Sequence, residues 1–314
     1  MAASRFSDAL RTTGAAAWQM GRRPAVAGAL GGPLGVLALL LWQAGAAFVD
    51  NANRWLPYPY PRPGSEGLML YETLLMRQGG DLYGPITPDR FISGPYPPVY
   101  YWLAGQVMPD VPGFFDGRSL SMWAALAAAT AALLTVLVTT LATAPAPPRP
   151  GRGATLLIGL AGGLVAAGLW LAAPPVLIWA TRFRADMLMM AFMAAGLACV
   201  ALGSPPSAAA PPQSARALLV WAAIPLFVLA LYTKQTALAG PAAAAAYLLV
   251  RDWRRGLAWV GGLLIVGGIP FLALDLASSH WFYLKMIVYH NLPWSRSTFT
   301  RLIDAWQQDH LLLI

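Results

Sequence analysis

Charge is what this sequence has least of. Asp, Glu, Lys and Arg together make up 11% of the 314 residues, against roughly a quarter in a soluble domain. A chain so poor in charge cannot cover a water-exposed surface of its own. Cysteine is reduced to one residue, Cys199, inside an apolar run; that excludes an intrachain disulfide and a thiolate metal cluster. The histidines are His280, His290 and His310. Their separations have none of the short spacings of a metal motif, and they read as interfacial polar residues. Lysine occurs only at Lys234 and Lys285.

What is abundant is apolar: 58% of the residues are hydrophobic, with alanine- and leucine-rich runs that lack period-2 alternation. Runs of about 17 to 25 apolar residues cross a hydrocarbon core as helices, and only helices or closed barrels satisfy every backbone group there. The sequence predicts an all-α polytopic membrane protein. Its net charge of +8 comes from arginines dispersed between apolar spans, with no basic face or tail for nucleic acid. They read as topology signals.

In chain order, an N-terminal stretch carrying Arg5, Arg11, Arg22 and Arg23 leads into a span over 25–49, too long for the core of a signal peptide and therefore an uncleaved anchor. Further spans are predicted at 120–144, 154–173, 187–202, 217–232, 236–250 and 257–277. Two Pro-rich connectors, APAPPRPGRG and GSPPSAAAPPQSAR, interrupt them, and the chain bends at Lys234. The final LLLI begins at Leu311, so the sequence is expected to stop inside an eighth span, as the N-terminal part of a longer chain. These seven spans and the truncated eighth form one module over 1–314. A first outer loop occupies 50–118, and a second, amphipathic one occupies 278–310.

Orientation follows from charge. With the N-terminus inside, the inner loops hold Arg149, Arg152, Arg216, Arg251, Arg254 and Arg255, opposed only by Asp8 and Asp252. That is the positive-inside pattern. Counting 96–108 as a span would invert it, and at about 13 residues that segment is too short to cross. It is expected instead to be a helix lying along the membrane surface, started by Pro97 and Pro98. Tyr96, Tyr100, Tyr101 and Trp102 would then sit at headgroup level. A second loop helix is expected after Ser65 as N-cap, with Leu68, Tyr71, Leu74, Leu75 and Gln78 on one face and a stop at Gly79–Gly80. Glu72 and Asp81 read as solvated loop acids. Asp116 and Arg118 read as fixing the start of the second span, and Asp275 as a local cap or pair.

The runs SEGLMLYETLLMRQGGDLY, YPPVYYWLAG and GRSLS together resemble the first loop of the polytopic C-type glycosyltransferases, the superfamily of protein O-mannosyltransferases and aminoarabinose transferases, and most of all its bacterial family 39-like members. TRFRADMLMMAF, LYTKQTALAGP and HWFYLKMIVYHNLPWS are similar to later landmarks of that group, in the same order. The resemblance implies transfer of a sugar, with inversion, from a polyprenyl-phosphate carrier to an acceptor on the outer side of a bacterial-type plasma membrane. Glu66 matches the family's first-loop acid and would take the acceptor's proton, although Ser65 stands where many relatives have a second acid. Asp186 matches a second acidic position. Lys234 would face the lipid phosphate, and Arg182, Arg184, Tyr96, Tyr100, Lys285, Tyr289 and Arg296 would help to hold carrier or sugar. A divalent Mg or Mn ion between Glu66 and Asp186 stays open.

Each of these residues also has a purely structural reading. Glu66 would complement a helix dipole, Asp186 would pair with a neighbouring arginine, and Lys234 would reach the interface along its stem. Asp50, ending the first span, is the next acid in line. The competing classes are a transporter or lipid flippase, which calls for charges within spans and an internal repeat, and an inactive scaffold relative.

Overall fold

The computed structural model describes residues 24–142, 152–204, 214–291 and 293–310. The N-terminal arginines up to Arg23, most of both Pro-rich connectors and the expected eighth span from Leu311 lie outside the described residues. Within them the chain is all helix and loop. In order run α1 (Pro24–Trp55), α2 (Glu66–Arg77), α3 (Pro98–Val107), α4 (Phe114–Ala142), α5 (Arg152–Ala172), α6 (Pro174–Ala180), α7 (Asp186–Gly203), α8 (Ser214–Thr233), α9 (Ala239–Arg251), α10 (Trp253–Ala277) and α11 (Arg296–His310). A turn at Trp281–Tyr283 opening into a π-helical stretch, Leu284–Val288, stands between α10 and α11.

Six helices, α1, α4, α5, α7, α8 and α10, are long and apolar enough to cross a membrane. The protein is an all-α polytopic membrane protein. The span expected at 236–250 is α9, whose 13 residues reach about 20 Å against a hydrocarbon core of roughly 30 Å. Residues 235–238 wind into turns after Lys234, which shortens the helix. Pro225 and Pro270 lie inside α8 and α10, as membrane helices tolerate. The threonines of α4 return their hydroxyls to carbonyls one turn back, as Thr135 does to Ala131 at 2.6 Å, so no polar group is stranded there.

Close approach holds the bundle together. Gly159 and Gly163, one turn apart on α5, lie against the α4 backbone: a Cβ on Gly163 would stand 2.8 Å from the Leu133 carbonyl oxygen. Small residues at such spacing let membrane helices meet backbone to backbone. The later helices pack around Val200, Val220, Phe227, Leu248 and Trp259, with the buried Trp259 indole donating to the Val220 carbonyl at 2.8 Å.

Successive spans alternate in direction, so the ends of α1, α5, α8 and α10 meet the starts of α4, α7 and α9 at one end of the bundle. There the loop 56–113, α6 and residues 278–290 build a folded cap. Asn51 at the end of α1 donates to the Leu177 carbonyl and to the Thr181 hydroxyl, fastening the short α6, a helix that the sequence reading did not anticipate. At the opposite end Arg251 reaches the Ser204 carbonyl at 3.3 Å, and Asp252 caps α10 by accepting from the amides of Arg254 and Arg255.

The cap has a core of its own, including Met69, Tyr83, Ile92, Tyr100, Tyr101, Phe183, Phe282 and Met286. This corrects three expectations. Tyr100 and Tyr101 are fully buried inside the protein and do not present their rings to the membrane surface, whereas Trp102 is 57% exposed. Ser65 is no side-chain cap: it sits in the left-handed region at φ 81° and makes no capping bond. And the buried face of α2 carries Glu66, Met69, Glu72 and Thr73, while Tyr71, expected on the apolar face, is 52% exposed. The expected stop is as read, with the Gly80 amide returning to Leu75 at 2.8 Å.

Candidate functional site

Two acids were expected to work together, Glu66 and Asp186, and the cap separates their surroundings. Glu66 is fully buried. Arg118, from the first turns of α4, meets it with two parallel bonds, Nε to Oε1 at 3.0 Å and Nη2 to Oε2 at 2.6 Å. The amides of Arg62 (2.7 Å) and Phe183 (2.9 Å) also donate to the same carboxylate. Arg118 spends its remaining donors on the carbonyls of Trp55, Tyr58 and Tyr60. All five of its N–H groups are therefore used. Burial pushes the Glu66 carboxyl up, but the hydrogen bonds from Arg118 and the two amides outweigh it and hold the pKa below the ordinary glutamate value. A charge-assisted, bidentate pair of this kind fixes geometry; here it fastens residues 55–66 to α4 and to the chain before α7.

Glu72, expected in solvent, is likewise fully buried. It accepts from the Ser93 hydroxyl (2.9 Å), the Gly94 amide (2.7 Å) and the Tyr101 hydroxyl (2.7 Å). Burial first, then the Glu72 charge, pushes the phenols of Tyr83 and Tyr101 far up, so both stay neutral donors. Lys285 is buried as well, its ammonium donating to the carbonyls of Leu82 (3.0 Å) and Ile92 (2.8 Å); burial lowers its pKa. It ties the 281–288 turn to the first loop and presents no free face to a ligand. Tyr100 bonds to Ser121 and Gly117 within the core, and Tyr289 stands half-exposed with no side-chain bond among the described residues.

Asp186 is different. It opens α7, and its carboxylate receives Lys234 Nζ at 2.5 Å and Arg184 Nε at 3.4 Å. The Asp186 and Lys234 side chains keep 15% and 19% exposure, so this pair borders open space where the Glu66 pair does not. Arg184 also donates to the Gly64 carbonyl and the Tyr96 hydroxyl. Lys234 lies 5.6 Å from the Tyr96 ring centre and Arg184 5.4 Å, and the Tyr96 proton has no acceptor among the described residues. Burial raises the Tyr96 phenol's pKa, with Arg184 opposing. Arg182 stacks on Trp179 at 5.0 Å and donates to the Pro63 carbonyl. The structure thus gathers Arg182, Arg184, Asp186, Lys234 and Tyr96 at the line where spans meet cap, while Tyr100 and Lys285 are buried with protein partners of their own and Tyr289 makes no side-chain bond to the cluster.

Beside this cluster Gln235 donates to the Pro95 carbonyl (2.9 Å) and to His290 Nε2 (3.1 Å). His290 Nδ1 faces the Lys285 carbonyl at 2.9 Å, so the network assigns the proton to Nδ1 and leaves Nε2 as acceptor. Two buried polar atoms in this neighbourhood, Arg182 Nε and Gln235 Oε1, have no protein partner. Neither residue pair offers a set of ligands for a divalent ion: Glu66 is saturated by Arg118, Asp186 faces two cations, and no group of three or more acidic, histidine or cysteine side chains is close enough to hold one among the described residues. Asp50 lines a separate depression of about 370 Å³ with Asn51, Arg54 and Trp55.

No known protein family matches the chain, nor does any curated protein or solved structure. What defines it is its own architecture: an all-α polytopic membrane protein whose spans carry, at one end, a folded cap with an ion cluster at the junction.

Proposed function

We propose that the protein is a glycosyltransferase that moves a sugar from a polyprenyl-phosphate carrier to an acceptor lipid, glycan or protein. The observation that carries this reading is the largely buried cluster of Asp186, Lys234, Arg184 and Tyr96, which borders open space at the junction of spans and cap, where the apolar spans end. The ordered resemblance to C-type glycosyltransferases supports it.

The chemistry follows from the partners. A lipid phosphate entering beside Lys234 and Arg184 competes with Asp186 for the ammonium. Drawing Lys234 onto the phosphate frees the Asp186 carboxylate to take the acceptor hydroxyl's proton as its oxygen attacks the anomeric carbon. The bond to the carrier breaks on the opposite face, with inversion, and its electron pair stays on the phosphate, where Lys234 and Arg184 stabilise the growing charge. Tyr96 donates to a sugar oxygen, and the orphaned Arg182 Nε and Gln235 Oε1 await one donor and one acceptor from the ligand. The saturated Glu66 fits the base role less well than Asp186, and in this reading it holds the first loop in shape. The site faces outward in a bacterial-type plasma membrane; the clustering of Arg216, Arg251, Arg254 and Arg255 at the other end supports that orientation.

The test is transfer by the reconstituted protein from polyprenyl-phosphate-linked hexoses and pentoses, assayed one at a time. Asp186→Asn should lower the rate by about 10²–10⁴-fold, the usual worth of a general base. Full activity in Asp186→Asn would remove the base role, and movement of the donor across the bilayer without transfer would make the protein a flippase.

A further inference from the structure

The helix that closes the described chain contributes nothing to either core. α11 carries RSTFTRLIDAWQQDH, which sets Phe299, Leu302 and Ile303 at i, i+3 and i+4, one apolar stripe. Ser297, Arg301 and Asp304 occupy the opposite side. Every side chain described along it is exposed, with Leu302 at 64%. Ahead of it Trp294 is exposed too, its ring 6.5 Å from that of Phe299, so the apolar strip extends beyond the helix.

Its place in the fold says what covers this strip. His290 is hydrogen-bonded to Gln235, two residues past the end of the spanning helix α8, so the chain is pinned at the level where the spans leave the bilayer. Only 291–295 separate that point from α11, and an extended connection of that length reaches at most about 20 Å. The helix therefore starts within about 20 Å of that level, with an apolar stripe and a tryptophan on one side. Such stripes lie in the headgroup–acyl boundary, where tryptophan is favoured.

We propose that α11 is an interfacial helix, seated in the bilayer surface on the cap side with Trp294, Phe299, Leu302 and Ile303 submerged and Arg301 and Asp304 turned to water. Its sequence balances Arg296 and Arg301 against Asp304 and Asp309. Attachment thus rests on apolar area and needs no anionic lipid.

Spin labels test this in the protein reconstituted into pure phosphatidylcholine nanodiscs. In a Cys199→Ala background, nitroxides are attached singly after Ser297→Cys, Arg301→Cys, Leu302→Cys and Ile303→Cys, all surface positions. Collision with oxygen should exceed collision with a water-soluble nickel chelate several-fold at 302 and 303, with the reverse at 297 and 301. Nickel access at all four positions would put the helix in water. Shielding of 302 and 303 from both reagents would mean that another part of the protein, or a second copy, covers the stripe. Either result overturns the proposal.

Discussion

Arg118 uses every donor it has inside the cap, and its loss should be felt more than that of any other single side chain there. Removing one partner of a buried ion pair leaves an uncompensated charge, at a cost of about 3–5 kcal/mol. Arg118→Lys, which cannot make the fork, and Glu66→Gln should both lower the thermal midpoint markedly in detergent. The pH dependence has a definite sign. Because the folded Glu66 carboxyl is held below its unfolded value of about 4.3, its contribution is complete above that value and disappears as the pH falls through the folded pKa. The wild-type midpoint should hold steady from neutral pH down to about 5 and fall in more acid solution. Glu66→Gln should start lower and lose less on acidification. An identical acid limb in both proteins would show that Glu66 does not carry it.

None of these pairings could be read from the chain. Glu66 and Arg118 stand 52 residues apart, and Asp186 and Lys234 stand 48 apart. No local period links them. A glutamate on an amphipathic helix is ordinarily assigned to water, as Glu72 was, because acids are almost never fully buried without partners. The partners here are a serine hydroxyl, a glycine amide and a tyrosine from distant turns. Asp186 and Lys234 were legible as single residues since each interrupts an apolar run, but only the fold turns them into a pair.

Among the elements, the spans were the legible part: length and hydropathy are properties of the segment itself, and α1, α4, α5, α7, α8 and α10 all appear close to where the sequence puts them. The proline start of α3 and the glycine stop of α2 were legible for the same local reason. α6 and the shortened α9 were not, since both depend on what the neighbouring turns pack against. Helix contact gives a matched pair of tests. Gly163→Ala puts a methyl 2.8 Å from the Leu133 carbonyl, so α4 and α5 must move apart. Overpacking of this kind costs about 1–3 kcal/mol. Gly261→Ala in α10 meets nothing within 4 Å and should be neutral or slightly stabilising. Unfolding monitored by a thermal shift should separate the two; equal midpoints would remove the close α4–α5 approach from the account.

For the molecule as a whole, the division into a basic end and a capped end makes orientation measurable. With Cys199→Ala as background, Gly113→Cys lies on the cap and Trp253→Cys at the other end. An impermeant maleimide added to intact cells should label the first directly and the second only after the membrane is opened. The opposite order would place the cap inside and end the proposal that it receives a carrier lipid from the outer leaflet.

The central claim is that Lys234 contacts the carrier phosphate of a lipid-linked-sugar site in which Asp186 is the base, and the lipids that stay with the purified protein test it most directly. Mass spectrometry of the detergent-solubilised wild type and of Lys234→Ala should find a polyprenyl-phosphate sugar retained by the first and depleted from the second, and its mass would identify the donor. Equal retention by both proteins would take the phosphate away from Lys234. Absence of any such lipid from both would contradict the transferase reading itself.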